Sequence, residues 1–180
     1  ELSQVTVTGT ENLMMAAVLA EGRTILKNAA REPEVSDLAL FLNSVGANIN
    51  GAGTDTIIID GVEKLSSGSH HVLFDRIEAG TYLIAAVLTN GNLTIQNLNP
   101  STIKTEINIL KKIGAKIRLK RNSINIIGNS EIKNIDLKTA PYPGFPTDLQ
   151  AQIMVLLCKA KKSSYIKEDI FENRFMHVAE

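Results

Sequence analysis

An internal repeat of about 69 residues constrains the fold of this chain more than any other feature of its sequence. Residues 15–28 (MAAVLAEGRTILKN) and residues 84–97 (IAAVLTNGNLTIQN) align without a gap at an offset of 69. Residues 42–49 (LNSVGANI) match residues 110–117 (LKKIGAKI) at an offset of 68. Self-similarity at a fixed period is typical of folds built from repeated structural units.

Each unit is predicted to contain a helix, a strand, a second helix and two further strands, in that order. The first helices are almost continuously apolar, which predicts burial on most of their sides: they cover residues 13–19, 82–88 and 153–157. The second helices are amphipathic. Four glycines are expected to end the helices of the first two units: Gly22, Gly46, Gly91 and Gly114.

A third unit is predicted to begin at about Thr147 and to stop inside its second helix at Glu180. A half-built helix cannot bury its apolar face alone. The chain is therefore expected to be a piece of a longer protein, with about two and a half units present. A sharp melting transition together with a protease-resistant C-terminus would contradict this expectation.

The composition excludes several classes of protein. The chain has 19 basic and 19 acidic residues and no basic stripe interleaved with aromatic residues, so nucleic acid is not an expected partner. No apolar run is long enough to span a bilayer and no signal peptide is evident, which predicts a cytoplasmic protein without a membrane partner. One cysteine excludes an internal disulfide, and no spacing of His and Cys residues indicates a metal site.

A linker is predicted between the first two units. Residues 66–69 (SSGS) are typical of a flexible segment. The sequence therefore predicts a domain boundary near Leu73, with one domain in residues 1–73 and another in residues 74–180. Asp75 is expected to cap the next helix, with Glu78 as its partner in a capping box.

A proline-rich loop, residues 140–146 (APYPGFP), leads to Asp148 at the start of a predicted helix. Thr147 can cap that helix, so Asp148 is not needed for capping. The positive end of the helix favours a charged carboxylate, and a general base for a sugar hydroxyl requires such fixed placement. Plain stabilisation of the helix dipole is the alternative explanation for this acid.

Two other segments are candidates for binding anions. Residues 5–12 (VTVTGTEN) are predicted to form a strand that ends at a helix start capped by Thr10 and Asn12, where free backbone N–H groups suit a diphosphate; ordinary capping is the alternative. Arg31 follows a strand beside Glu32 and Glu34, in a loop that corresponds in the repeat to the one carrying Arg174.

Arginine is suited to carboxylate or phosphate because its guanidinium is a planar fork of donors. Loops at the same repeat position should gather on one face, so Arg31 and Arg174 could share a cleft. Surface ion pairs are the alternative for both. Cys158 lies in an apolar helix and is expected to be a small buried hydrophobic residue rather than a nucleophile.

Several motifs together resemble the UDP-N-acetylglucosamine 1-carboxyvinyltransferase (MurA) family of enolpyruvyl transferases. The motifs FPTDLQAQ (residues 145–152) and FENRFMH (residues 171–177) resemble it most specifically. AREPE, VGANI, DRIEAGTY, TAPYPGFPTD and VTVTGTENLMMAA occur at the expected places. The similarity covers essentially the whole chain.

The resemblance implies an α/β fold (α+β) of the EPSP synthase-like kind. Each of its two domains would be an inside-out barrel of three βαβαββ units, with helices inside and sheets outside. Residues 1–73 would form the later part of one domain and residues 74–180 part of the other. The substrate cleft would lie between the domains, completed by the remaining segments of the full-length enzyme.

The resemblance also implies a reaction. These enzymes transfer enolpyruvate from phosphoenolpyruvate to the 3-hydroxyl of UDP-N-acetylglucosamine, which commits the sugar to peptidoglycan synthesis. They need no cofactor and no metal. Small-molecule substrates are therefore the expected partners.

The motifs imply roles for individual residues. Asp148 would bind the sugar nucleotide and act as base, and Thr147 and Ile170 would lie at the sugar nucleotide. Arg174 would hold phosphoenolpyruvate. Residues Gln4, Val5, Thr6, Val7 and Thr8 would touch the uridine and diphosphate, although some family members have lysine at the position of Gln4, so a direct phosphate contact by this side chain is in doubt.

One departure concerns the family's proton-donating loop, which usually carries a cysteine and is not among these 180 residues. The residues around Cys158 do not match those around the cysteine of that loop. The 180-residue chain alone is therefore expected to be inactive. Two alternatives stay open: a transferase of the same fold that acts on shikimate 3-phosphate, and a non-catalytic remnant.

Overall fold

The computed structural model describes residues 1–179 and divides the chain into two compact units. The first is Glu1–Leu73 and the second begins at Phe74. The division falls at the end of the serine-containing linker. The assignment of the units to parts of two enolpyruvyl-transferase domains stays a prediction.

The first unit contains two helices and a three-stranded antiparallel sheet of order β1-β3-β2. Its elements are α1 (Val7–Ala17), β1 (Arg23–Lys27), α2 (Pro33–Ser44), β2 (Asn48–Asn50) and β3 (Thr56–Asp60). The central strand β3 alternates, and its Ile57 and Ile59 are fully buried. Pro33 occupies the start of α2, where its missing N–H costs nothing.

The second unit repeats this plan and extends it. Its elements are α3 (Arg76–Leu88), β4 (Asn92–Gln96), a 3₁₀ turn (Pro100–Ile103), α4 (Lys104–Ile113), β5 (Lys116–Lys120), β6 (Ser123–Ile127), β7 (Leu137–Lys138), a 3₁₀ turn (Thr147–Leu149), α5 (Gln150–Leu157), β8 (Ile166–Lys167) and a 3₁₀ turn (Met176–Ala179). Strands β4, β6 and β5 form an antiparallel sheet with the same neighbour order as in the first unit. Ile124 and Ile126 are the buried counterparts of Ile57 and Ile59. The predicted element order is confirmed in both repeats.

Helix ends agree with the sequence in part. Gly46 and Gly114 follow α2 and α4 with φ of 106° and 118°, as predicted. Gly91 does not occupy C′ of α3: Asn90 does, with φ of 53°, and Gly91 donates its N–H to the Ala86 carbonyl at 2.8 Å. Gly22 was also wrongly predicted, because α1 already ends at Ala17.

The first helices are less buried than their composition predicts. In α1, Met14 is fully buried, but Leu13 and Met15 are 43% and 45% exposed. The exposure arises because α1 is covered on one side only, by α2, β1 and β3. Tyr82 of α3 and Val155 of α5 are also exposed.

Both α5 and the 3₁₀ turn before it pack against α3, and Gly80 of α3 leaves room for Leu149 of that turn. Both residues are buried. This contact anchors the turn that carries Asp148, since Leu149 is the next residue in the chain.

The parallel pair β7–β8 is not predicted by the sequence, and it positions the segment after β8. Lys138 pairs with Lys167, and the Thr139 N–H donates to the Lys167 carbonyl at 2.9 Å. Thr139 in turn forms a bridge with Phe145 at the end of the proline-rich loop. The chain beyond β8 is thereby attached to the strand that leads into that loop.

The predicted second helix of the third unit is not formed among the described residues. Residues 172–175 form turns, and only a short 3₁₀ turn follows at Met176–Ala179. Glu180 lies outside the described residues.

The linker lacks regular structure, as predicted, but hydrogen bonds attach it to the first unit. Both the N–H and the hydroxyl of Ser66 donate to the Val45 carbonyl, at 2.7 and 2.9 Å. Asp37 of α2 contacts the His70 ring and accepts from the Leu73 N–H at 3.1 Å.

Candidate active site

The loop that presents Asp148 is held at several points. The Ala140 N–H donates to the Phe145 carbonyl at 3.0 Å, and the Gly144 N–H to the Pro141 carbonyl at 2.8 Å. From α4, the Thr105 hydroxyl donates to the Pro143 carbonyl at 2.6 Å. Hydrogen bonds therefore supplement the prolines in fixing this loop.

Buried residues fix both sides of the turn. Phe145 is 3% exposed and Leu149 is fully buried, whereas Asp148 between them is exposed. Thr147 does not cap the turn, contrary to prediction: the N-cap position belongs to Pro146, which has no side-chain donor or acceptor. The Thr147 hydroxyl instead donates to Glu168 at 2.9 Å.

Asp148 and Arg174 form an ion pair across the two predicted motifs. The Arg174 Nη2 lies 3.2 Å from Asp148 Oδ1, and the two side chains are 40% and 54% exposed. The guanidinium also stacks over the Phe171 ring, with its carbon 4.9 Å from the ring centroid. The structure thus brings together Asp148 and Arg174, for which the sequence predicts the roles of base and anion-binding group.

Glu168 is a residue of this site that sequence reasoning missed. Its Oε2 accepts from Thr147, and its Oε1 accepts from the N–H groups of Ile170 and Phe171, at 2.9 and 3.2 Å. Ile170, a predicted contact of the sugar nucleotide, is thereby held close to the turn that carries Asp148. A hydrophilic residue between two motifs gives no pattern that would reveal this role.

The loop after β8 lines a cavity of about 610 Å³, formed by residues 168–175. Asp169 lies at its start and is paired with Lys138 at 2.6 Å and Lys167 at 3.1 Å. These ammonium groups, chiefly that of Lys138, hold the pKa of the Asp169 carboxyl below its ordinary value. Asp169 therefore stays charged, but its charge is balanced by two cations.

The predicted nucleotide-contacting stretch lies in the first unit and is not a strand. Gln4 and Val5 precede α1, Thr6 is its N-cap, and Val7 and Thr8 begin the helix. The Thr6 hydroxyl accepts from the Gly9 N–H at 3.3 Å. Capping is therefore supplied by Thr6, and the prediction of Thr10 and Asn12 as caps is wrong.

Thr10 has a structural role in the same helix. It is fully buried, donates to the Thr6 carbonyl at 2.7 Å and accepts from the Ala30 N–H at 3.0 Å. Val and Thr alternate in residues 5–8, which is a pattern typical of a strand. Here the alternation includes the N-cap and the first residues of α1, so it does not indicate a strand.

The other predicted residues have ordinary surroundings. Arg31 pairs with Asp55 at 3.2 Å on the surface of the first unit. Glu32 beside it is buried. Cys158 follows the last residue of α5 and is exposed, so the prediction of a buried cysteine is wrong.

Residues 1–179 contain neither a candidate metal site nor a candidate membrane span. No group of three or more His, Cys, Asp or Glu residues within residues 1–179 is arranged to hold a metal ion. No helix in that range is both long and apolar enough to cross a membrane.

Comparison with known proteins identifies the family. Residues 1–180 match the family model described as EPSP synthase (3-phosphoshikimate 1-carboxyvinyltransferase). The chain belongs to the EPSP synthase family. Membership of the EPSP synthase-like enolpyruvyl transferases, which the motifs implied, is therefore confirmed, as is an α/β fold of that kind.

Individual relatives within the EPSP synthase family carry a more specific name. The chain is 62% identical over 177 residues to a UDP-N-acetylglucosamine 1-carboxyvinyltransferase of Pelagibacter ubique, covering 98% of the chain and 42% of the relative. It is 54% identical over 180 residues to one of Coxiella burnetii, covering 99% of the chain and 42% of the relative. The chain thus spans about two fifths of the length of these curated relatives.

Solved structures of the EPSP synthase family share the fold. The enolpyruvyl transferase NikO from Streptomyces tendae superposes with a TM-score of 0.81 at 26% identity, over 93% of this chain and 40% of that one. EPSP synthase from Acinetobacter baumannii superposes with a TM-score of 0.56 at 20% identity, over 92% of this chain and 39% of that one.

Proposed function

We propose that the whole protein containing this chain transfers enolpyruvate from phosphoenolpyruvate to the 3-hydroxyl of UDP-N-acetylglucosamine, with release of phosphate. The observation that carries the proposal is the juxtaposition of Asp148 and Arg174 at 3.2 Å. Identity of 62% and 54% to proteins named for this activity supports it. Both substrates are intracellular metabolites, so we propose a cytoplasmic location and a role in peptidoglycan synthesis.

Asp148 is the proposed base. Its carboxylate would take the proton of the sugar 3-hydroxyl as the oxygen forms a bond to C2 of phosphoenolpyruvate. C3 takes up a proton from a separate acid, which gives a tetrahedral adduct. Loss of that C3 proton and of phosphate then restores the double bond. A base held by the buried residues Phe145 and Leu149 suits such a step because its position changes little during reaction.

Arg174 is the proposed anion-binding group. It is paired with Asp148, and both side chains are substantially exposed. Such a pair stabilises the protein by only about 0–1 kcal/mol, so a phosphate or carboxylate can displace Asp148 from the guanidinium. Binding of phosphoenolpyruvate would therefore free the carboxylate for its role as base. Thr147 and Ile170, beside this pair, would contact the sugar nucleotide.

Residues 4–8 are proposed to contact the uridine and diphosphate. The N–H groups of the first turn of α1 suit a diphosphate. Gln4 is exposed and uncharged, so the backbone rather than this side chain would supply the donors.

Phosphate release from the full-length protein tests the proposal. Wild type should turn over the two substrates, and Asp148→Asn should lower kcat by about 10²–10⁴, the range typical of a lost general base. Arg174→Lys should chiefly raise KM for phosphoenolpyruvate, because the planar fork is lost. The 180-residue chain alone should be inactive. Wild-type kcat in Asp148→Asn would remove Asp148 from the mechanism.

Transfer to shikimate 3-phosphate is the competing function, since the matching family model is named for it. Calorimetry separates the two. Binding of UDP-N-acetylglucosamine without binding of shikimate 3-phosphate supports the proposal, and the reverse result refutes it.

A further inference from the structure

Glu168 connects the two segments that carry the proposed reactive side chains. Each of its carboxylate oxygens contacts a different segment: Oε2 accepts from the Thr147 hydroxyl at 2.9 Å, and Oε1 accepts from the N–H groups of Ile170 and Phe171 at 2.9 and 3.2 Å. Bonds to a charged acceptor are stronger than those between neutral groups. Glu168 is therefore more firmly held than an ordinary surface glutamate.

The backbone at Glu168 is itself fixed. The preceding residue, Lys167, lies in β8 and accepts from the Thr139 N–H at 2.9 Å. The N–H of the following residue, Asp169, donates to the hydroxyl of Thr139 at 3.1 Å, and Thr139 is fully buried. The carboxylate therefore extends from a rigid point.

The contacts of Glu168 determine where both members of the ion pair lie. Thr147 is adjacent to Asp148, so the bond to its hydroxyl restrains the turn that presents the carboxylate. Phe171 is the ring over which Arg174 stacks at 4.9 Å, so the bonds to Ile170 and Phe171 restrain the platform of the guanidinium. One side chain thus sets the separation of the two groups.

We propose that Glu168 is a positioning residue for the enolpyruvyl transfer, acting through Thr147 on Asp148 and through the 170–171 backbone on Arg174. This inference rests on the proposed function. Its own role is geometric: Glu168 neither exchanges a proton nor contacts the reacting atoms. Misplacement of a reacting group by about 1 Å can cost about 10²-fold in rate, so loss of Glu168 should reduce kcat although no reactive group is removed.

Three substitutions separate geometry from charge in the full-length protein. Glu168→Ala removes all three bonds and should lower kcat by about 10–10²-fold. Glu168→Gln should restore most of the loss, because its amide oxygen can accept from both N–H groups while its nitrogen donates to the Thr147 oxygen. Glu168→Asp keeps the charge but is one methylene shorter, so it should resemble alanine. Glu131→Ala is the matched control, since Glu131 pairs with Lys161 instead.

A double-mutant cycle tests the path through Thr147. Thr147→Val removes the hydroxyl and keeps the shape of the side chain. If the bond between Thr147 and Glu168 carries the effect, the kcat of the double variant Thr147→Val/Glu168→Ala should be no lower than that of Glu168→Ala alone. Both are measured at saturating UDP-N-acetylglucosamine, so that weaker binding through the proposed contact of Thr147 with the nucleotide does not enter. Additive losses would mean that the two residues act separately, which overturns the proposal. Thermal melts of every variant identify any that fail to fold. If Glu168→Ala fails to fold, the test of the proposal rests on Thr147→Val and Glu168→Gln, which keep the side-chain shape.

The outcomes distinguish failure of the proposed function from failure of the proposed role of Glu168. Absence of turnover by wild type refutes the proposed function. Turnover by wild type and its loss in Asp148→Asn, together with full activity of Glu168→Ala, refutes the role of Glu168 alone. Equal activity of the Asp and Gln variants would show that reach does not matter, and it would also overturn the proposal.

Discussion

Replacing Gly80 by alanine should press directly on the turn that carries Asp148. A Cβ built at Gly80 would lie 2.5 Å from Cδ1, 3.2 Å from Cδ2 and 3.4 Å from Cγ of Leu149. Leu149 is fully buried, so moving its methyl groups away from the new Cβ disturbs the side chains packed around it. The new methyl group must therefore displace the Leu149 side chain or the 3₁₀ turn that carries it.

Two opposing contributions determine the size of the effect. Overpacking a well-filled core costs about 1–3 kcal/mol. Alanine in a helix interior is favoured over glycine by about 0.5–1 kcal/mol. The central values of these two ranges leave a net loss, so we expect Gly80→Ala to lower the free energy of unfolding by about 1 kcal/mol, which for a unit of this size corresponds to roughly 4–8 °C in Tm.

Tyrosine fluorescence during urea unfolding measures this change in the second unit. All three tyrosines, at positions 82, 142 and 165, belong to that unit, and the chain has no tryptophan. An unchanged or raised stability of Gly80→Ala would refute the packing argument.

A second substitution tests the cause. Leu149→Ala alone should cost about 2–5 kcal/mol, as is usual for a buried leucine. In the double variant Gly80→Ala/Leu149→Ala the clashing atoms are absent, so the total loss should be smaller than the sum of the single losses. Simple additivity would show that the Gly80 effect does not come from Leu149.

Three further predictions concern single side chains. Thr10→Val should cost about 1–3 kcal/mol because the buried Ala30 N–H loses its acceptor, and Thr10→Ser should retain most of the stability; equal unfolding midpoints for the two variants would contradict this. Asp75→Ala should cost about 1 kcal/mol by removing the N-cap of α3, whereas Asp75→Asn, which can still accept from the Ile77 and Glu78 N–H groups, should cost less in the same urea titration. The lowered pKa of Asp169 means that its pairing with two lysines stabilises the fold above the unfolded pKa of about 3.9 and is lost as pH falls through the folded pKa. The Tm of wild type should therefore exceed that of Asp169→Asn near neutral pH and converge with it in strong acid, and a constant difference would exclude this linkage.

Local patterns predicted much of the fold. The repeat gave the element order, and Asp75 caps α3 as its position indicates, with its Oδ1 2.7 Å from the Ile77 N–H. The prediction of a strand at residues 5–8 was wrong, because a two-residue alternation is compatible with either a strand or the first helical turn. The helix is selected by the cap at Thr6 and the burial of Thr10, a tertiary contact with Ala30 that no local pattern contains.

Site residues that belong to sequence motifs were predicted, whereas a residue that is placed at the site only by tertiary contacts was not. Asp148 and Arg174 are 26 residues apart, and their ion pair agrees with the motifs that named them. Their roles in catalysis stay proposals. Glu168 was missed because its contact with Thr147 spans 21 residues and depends on the two-residue strands β7 and β8, which are too short for periodicity to reveal.

The two hydrophobic cores described by the structure have no residue in common. One contains buried side chains from Met14 to Ile59, and the other from Ala79 to Leu157. Cooperative unfolding depends on contacts that are lost together, so each core has its own source of cooperativity. We therefore expect one unfolding transition for each core, and a free energy of unfolding that is assigned to each unit separately. A substitution at Thr10 should leave the tyrosine signal unchanged, while far-ultraviolet circular dichroism, which senses helices of both units, records the loss.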